Sequence, residues 1–143
     1  MRTIGFLYAI AAAVMWGLSY TLDQKILTKI SPLTLIFVGS LLGALITLPF
    51  ALADRQSIKT LLESGKNNFL LIFAAVALAT LGGFFIFSSI KILGASTASL
   101  FEIAYPFFVV LFSFLIFKTT PNLSFMVGAI LMFLGSFVII RFG

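Results

Sequence analysis

Long apolar runs separated by short polar stretches are the feature that most constrains this chain. A bilayer core about 30 Å thick needs roughly 20 apolar residues per helix, and about five runs approach or reach that length. The sequence therefore predicts an all-α integral membrane protein, a bundle of five transmembrane helices in a single domain over residues 1–143. The predicted spans are about Ile4–Tyr20, Pro32–Ala53, Phe69–Leu93, Ala95–Phe117 and Leu123–Ile140.

The composition agrees with a membrane protein and excludes several functions. Hydrophobic residues make up 62% of the chain and charged residues 9%, whereas folded soluble domains carry about 25% charged residues. Without His or Cys, the chain lacks the usual general base, the thiol nucleophile and the commonest zinc ligands. We therefore expect no catalytic residue, no metal and no cofactor. The net charge of +5 comes from basic residues that stand singly between apolar runs, so they indicate membrane-flanking charges and no nucleic-acid partner.

The polar connections predict how the spans are joined. The longest runs from Asp54 to Asn68, and Leu61 and Leu62 within it are expected to lie on the membrane interface as a short amphipathic turn. Gly94 breaks the third span directly before the fourth, so these two spans are predicted to form a tight antiparallel hairpin. A competing interpretation of the first span is a signal peptide, because Arg2 precedes an apolar run, but no soluble domain follows it.

The distribution of basic residues leaves the orientation of the chain open. Lys and Arg residues in short loops normally mark the cytoplasmic side, yet the count here is about five to four. Such a tie arises by chance when the first helix sets insertion, or it indicates that copies insert both ways and pair as an antiparallel dimer. The two groups are Arg2, Arg55, Lys59, Lys66 and Lys118 on one side, and Lys25, Lys29, Lys91 and Arg141 on the other.

Glu102 is the acidic residue expected well inside a span, roughly 12 Å along the helix from Gly94. An ionisable group there costs on the order of 3 kcal/mol on insertion scales, so it is a functional-site hypothesis. One interpretation is that Glu102 binds a proton or cation. The other is that a salt bridge from Lys91 neutralises the carboxylate and fixes packing. The small and polar residues expected on the same face are Ala95, Ser99, Pro106 and Ser113.

Aromatic residues and glycines suggest further roles on the other spans. Trp16 and Tyr20 share a helix face with Ser19 and Asp23 and could hold a cationic or ring-bearing solute. The alternative is that both aromatics belong to the interfacial belt. Pro106 frees a backbone carbonyl and permits a kink. Glycines at helix-packing spacing are Gly39 and Gly43 in the second span, and Gly128 and Gly135 in the fifth.

Several of these residues carry a resemblance to a known family. Trp16-Gly17, Pro32, the run from Gly94 to Pro106, and the glycines of the last span resemble five-helix members of the drug/metabolite transporter superfamily, the EamA-like group. Many members contain ten helices, two such units in inverted orientation, and export metabolites or drugs. The resemblance implies that this chain is one EamA-like repeat unit, completed by a second copy of opposite orientation. One departure is Lys118-Thr119, where members commonly carry Gly-Glu.

These inferences together predict a multi-pass transporter of small organic solutes or metabolites in the lipid bilayer of the cell (plasma) membrane, classed as an inner membrane protein. It is expected to work as an antiparallel homodimer with alternating access and to be proton-coupled through Glu102 and Lys91. The alternative is a non-transporting scaffold or assembly subunit that packs against another membrane protein. The residues expected to bind substrate are Trp16, Ser19, Tyr20, Ser99, Glu102, Tyr105 and Pro106.

Overall fold

The computed structural model describes residues 2–120 and 122–142, and within those ranges the chain is helical with no strand. Five helical segments are long and apolar enough to cross a membrane, which confirms the predicted all-α membrane bundle. Met1, Pro121 and Gly143, which the predicted 1–143 domain includes, lie outside the described residues. The helices are α1 (Arg2–Leu27), α2 (Pro32–Ala53), α3 (Arg55–Glu63), α4 (Gly65–Leu93), α5 (Ala95–Glu102), α6 (Tyr105–Phe117) and α7 (Leu123–Phe142).

The first helix differs from its prediction because it continues to Leu27 and does not end at Tyr20. Polar residues beyond Tyr20 were expected to end the span in water. Instead, Asp23 is buried and accepts from Ser19 of the same helix, and Gln24 accepts from the Ala95 N–H of α5. These polar side chains are therefore accommodated within the helix, which continues past Tyr20. At about 1.5 Å per residue, the resulting helix is roughly 39 Å long, which exceeds the thickness of the hydrocarbon core.

The predicted amphipathic turn is a nine-residue helix, α3. The Ser57 backbone N–H donates to Asp54 Oδ1 at 3.1 Å, so Asp54 caps the helix N-terminus. Hydrogen bonds from Ser57 lower the pKa of the Asp54 carboxyl below its usual value. The polar connection thus has regular structure of its own between two membrane-spanning helices.

The fourth span is interrupted in its middle, as the proline in it predicted. Pro106 has no N–H to donate to the Glu102 carbonyl four residues earlier. The chain turns instead through two shorter-range bonds, from Ala104 N–H to the Phe101 carbonyl at 3.3 Å and from Phe107 N–H to the Ala104 carbonyl at 3.1 Å. The span is therefore two half-helices, α5 and α6, and Glu102 is the last residue of the first.

Buried residues concentrate at one end of the bundle, which we call the packed end. It is formed where α1 and α4 end and where α2 and α5 begin. The buried hydrophobic side chains of the described residues all lie there, and they are Leu27, Ile90, Ala95 and Ala98. Toward the opposite end of the helices, most side chains are exposed to the surroundings of the single chain. One end of the bundle is thus closed and the other is open.

The predicted hairpin at Gly94 is present and depends on the glycine. Gly94 has φ +83° and ψ 159°, a region that is essentially restricted to glycine. The turn places Ala95 next to α1, where its backbone N–H donates to Gln24 Oε1 at 2.6 Å. This bond satisfies one of the free N–H groups at the start of α5 and ties the hairpin to α1.

Candidate functional site

One face of α1 becomes steadily more buried toward the packed end. Trp16 is 58% exposed, Ser19 and Tyr20 are half-buried, Asp23 is 8% exposed and Leu27 is fully buried. Because residues three and four apart share a helix face, these side chains form one continuous stripe. The stripe is exposed at Trp16 and buried at Leu27.

Glu102 meets this stripe through a direct hydrogen bond. The Tyr20 hydroxyl donates to Glu102 Oε1 at 2.9 Å, and Glu102 is half-buried. The helix break after Glu102 leaves its side chain at the end of α5 and its main-chain carbonyl without the usual donor. A carboxylate and a phenol thus meet at the break of a membrane span, and discontinuous helices of transporters place their binding sites at such breaks.

Trp16 lies at the open edge of this group. Its ring centroid is 5.7 Å from that of Tyr20, with an angle of 55° between the ring planes, which is a normal aromatic contact. Ser19 lies next to Tyr20 in the sequence, but its hydroxyl donates to Asp23 Oδ2 at 3.2 Å. The structure therefore brings together Trp16, Ser19, Tyr20 and Glu102 of the predicted substrate-binding residues.

The predicted salt bridge between Lys91 and Glu102 is wrong. The Lys91 ammonium donates to the Ile30 carbonyl at 3.0 Å, and within the described ranges the Glu102 carboxylate pairs with Tyr20 instead. The short distance between Lys91 and Glu102 along the helix axes suggested a salt bridge. However, Lys91 reaches outward across the packed end to the loop between α1 and α2. The basic residue thus ties helix ends together and leaves the carboxylate without a cation.

The other predicted binding residues are more loosely connected to Glu102. The Ser99 hydroxyl donates to the Ser96 carbonyl of its own helix at 2.9 Å and is exposed. Tyr105 is 62% exposed and begins α6. Pro106 lines a groove of about 510 Å³ between the helix break and α7, together with apolar side chains that include Phe107 and Phe108. The groove is apolar and does not include Glu102.

The predicted packing glycines contact no other helix within the described chain. A Cβ atom built on Gly39, Gly43, Gly128 or Gly135 would meet nothing within 4 Å. Gly128 lines the apolar groove beside α6. These small residues therefore lie on surfaces that the single chain leaves uncovered.

Asp23 and Gln24 are the residues near the site that the sequence analysis did not select. Asp23 was placed on the Trp16 face but interpreted as a residue at a helix end. Its spacing from Ser19 and Tyr20 was the signal available, since residues three and four apart on a helix face the same way. Gln24 gave no comparable signal, because its partner is a backbone amide 71 positions away in the chain.

The arrangement can bind a cation or a hydrogen-bonding solute. Glu102 supplies a carboxylate inside the membrane, and the Tyr20 hydroxyl holds it by a hydrogen bond. Trp16 offers an aromatic face at the exposed end of the stripe on α1. Intramembrane carboxylates of this kind commonly mark ion and proton pathways.

Comparisons with curated proteins and with solved structures find no match for the chain. A family model described as the EamA-like transporter family matches residues 3–141, and the chain therefore belongs to this family of membrane transporters of small solutes.

Proposed function

We propose that the protein exports small organic solutes or metabolites across the cell membrane in exchange for protons, with Glu102 as the coupling residue. The observation that carries the proposal is the Tyr20–Glu102 hydrogen bond of 2.9 Å at the break between α5 and α6. A carboxylate retained at this depth is costly unless it has a task. Its partner is a neutral phenol, so a proton or a cationic solute can compete for the carboxylate.

The proposed binding region extends from Glu102 to Trp16 at the exposed end of the stripe on α1. In this proposal Trp16, Ser19 and Tyr20 contribute to it from α1. Ser99 and Tyr105 contribute from the broken span, and Pro106 causes the break beside Glu102. In this proposal, the ring face of Trp16 contacts the solute first, because it is the most exposed member of the stripe on α1. Solute then exchanges with a proton at Glu102.

The proposal includes a second copy of the chain in the opposite orientation. Support comes from the exposure of two proposed binding residues in the single chain, since Trp16 is 58% exposed and Tyr105 is 62% exposed. A solute at Glu102 would have protein on one side only, and an inverted second copy would enclose it near the midplane. The nearly even distribution of basic residues is compatible with insertion both ways. Alternating access then follows from rocking of the two copies.

The experiment is solute exchange in proteoliposomes that contain the purified protein. Vesicles loaded with a mixture of unlabelled amino acids and organic cations are tested for uptake of each labelled solute. We expect exchange with the wild type and loss of exchange with Glu102→Gln, because the amide carries no charge. Glu63→Gln is the matched control, since Glu63 is exposed on α3 and its ion pair with Lys59 is on the surface.

The outcomes separate the proposal from its alternative. Exchange that is equal in Glu102→Gln and the wild type would contradict the role of Glu102. Absence of exchange for every solute, together with stable binding of a second membrane protein, would favour the scaffold. Reporter fusions at the C-terminus test the dimer separately, because a single orientation combined with a monomer in detergent would exclude an inverted pair.

A further inference from the structure

Asp23 lies between the Tyr20–Glu102 pair and the packed end. It follows Tyr20 by three residues, which is about 4.5 Å along the helix, and it shares the face of α1 that ends at the buried Leu27. Only 8% of Asp23 is exposed. Any ion that passes from Glu102 toward the packed end along α1 therefore meets this carboxyl next.

The hydrogen-bond partner of Asp23 is neutral. The Ser19 hydroxyl donates to Oδ2 at 3.2 Å, and among the described side chains of residues 3–120 and 122–142 no Lys or Arg nitrogen lies within 4.0 Å of the carboxylate. A hydroxyl donor does not remove the charge. Because an unpaired carboxylate buried in a membrane protein is costly, binding of a proton is the simplest way to neutralise it.

The charged groups on the neighbouring helices are already engaged. On α4, the Lys91 ammonium donates to the Ile30 carbonyl. On α5, the Glu102 carboxylate accepts from Tyr20. On α1 itself, Lys25 is exposed. None of these groups supplies a positive charge to Asp23.

We propose that Asp23 is a second proton-binding carboxyl of the transport site, on the side of Glu102 that faces the packed end. This inference rests on the proposed function for its role in transport. The carboxylate takes a proton from a hydronium ion, so one O–H bond forms on Asp23 while one O–H bond of the hydronium ion breaks and leaves water. On the other side of the membrane the O–H bond of Asp23 breaks, and the proton forms a hydronium ion with water. Glu102 and Asp23 each carry one proton, so solute exchange is coupled through two groups in sequence.

The test counts protons on the purified protein in detergent and needs no solute. The sample is acidified from about pH 8 to about pH 6, a range in which exposed carboxyl groups stay ionised. Proton uptake is measured with an indicator dye. Asp23→Asn should bind about one proton fewer per chain than the wild type. The asparagine Oδ1 can still accept from Ser19, so the local packing is retained. Glu63→Gln is the control and should match the wild type.

Equal proton uptake by Asp23→Asn and the wild type would overturn the inference. If Asp23→Asn fails to fold, infrared spectroscopy of Glu102→Gln decides, because Glu102 contributes no carboxyl band in that variant. A protonated-carboxyl band that appears over the same pH range and exchanges slowly in D₂O supports the inference, and its absence refutes it. These results do not depend on solute transport, so a wild type that binds the proton but exchanges no solute would refute only the proposed function.

Discussion

The hydrogen bond between Tyr20 and Glu102 makes the most direct prediction about the geometry of the site. Tyr20→Phe removes the hydroxyl that donates to Glu102 Oε1 at 2.9 Å and leaves the ring that contacts Trp16. Hydrogen bonds to charged groups contribute about 1.5–3 kcal/mol. Because both residues are half-buried, we expect the lower end of that range. The free energy of unfolding should fall by about 1.5 kcal/mol, roughly a tenfold change in the unfolding equilibrium.

The assay is a denaturant titration of the purified protein in detergent, with a matched control and a double-mutant cycle. Tyr8→Phe is the control, because Tyr8 lies on the same helix and is 73% exposed, and it should change the stability little. In a Glu102→Ala background, Tyr20→Phe should cost nothing further, since its acceptor is absent. An equal cost of Tyr20→Phe in both backgrounds would refute the bond between the two side chains.

Three further predictions concern the backbone that positions the site. Gly94→Ala should lower the unfolding free energy by about 1–3 kcal/mol, because φ is +83° there. Gly82→Ala is the control, at a helical position where a new Cβ meets nothing within 4 Å, and it should raise the unfolding free energy by roughly 0.5–1 kcal/mol. Equal effects of the two substitutions in a denaturant titration would contradict the strained turn at Gly94. Lys118→Gly should raise the unfolding free energy by about 1 kcal/mol, because Lys118 directly follows α6 with φ 56°, a conformation that glycine adopts more easily. A lower unfolding free energy in the same titration would contradict this prediction. The Asp54 cap should be complete above the usual aspartate pKa and lost as the pH falls through its lowered folded-state pKa. Amide exchange at Ser57 should therefore accelerate below that pH in the wild type. In Asp54→Asn the rate should lack this transition, and a transition that persists would refute the cap.

The sequence predicted the fold because membrane spans are local features. Each span is a continuous apolar run, and the breaks at Gly94 and Pro106 follow from the backbone chemistry of those two residues. The extent of α1 was harder to predict, since the polar residues after Tyr20 look like a helix end in water. Whether Asp23 is solvated or buried depends on the neighbouring helices, which a hydropathy pattern does not describe.

The candidate site was predictable as a set of helix faces but not as a set of contacts. Glu102 and Tyr20 were both selected because each lies on a polar face of its own helix. Their bond depends on how α1 and α5 are rotated against each other. The rotation of α4 in the bundle likewise directs Lys91 to the Ile30 carbonyl, so a salt bridge inferred only from the distance along the helix axis was wrong. The contact of Gln24 with the Ala95 amide is equally a property of the assembled bundle.

The central claim is that Glu102 couples solute movement to protons, and uptake driven by a pH gradient tests it most directly. Proteoliposomes that contain the wild type, Glu102→Gln or Glu63→Gln are placed in a pH gradient with a solute that the wild type exchanges. We predict that the wild type and Glu63→Gln accumulate the solute, whereas Glu102→Gln does not respond to the gradient. Accumulation by Glu102→Gln with the pH dependence of the wild type would contradict the account.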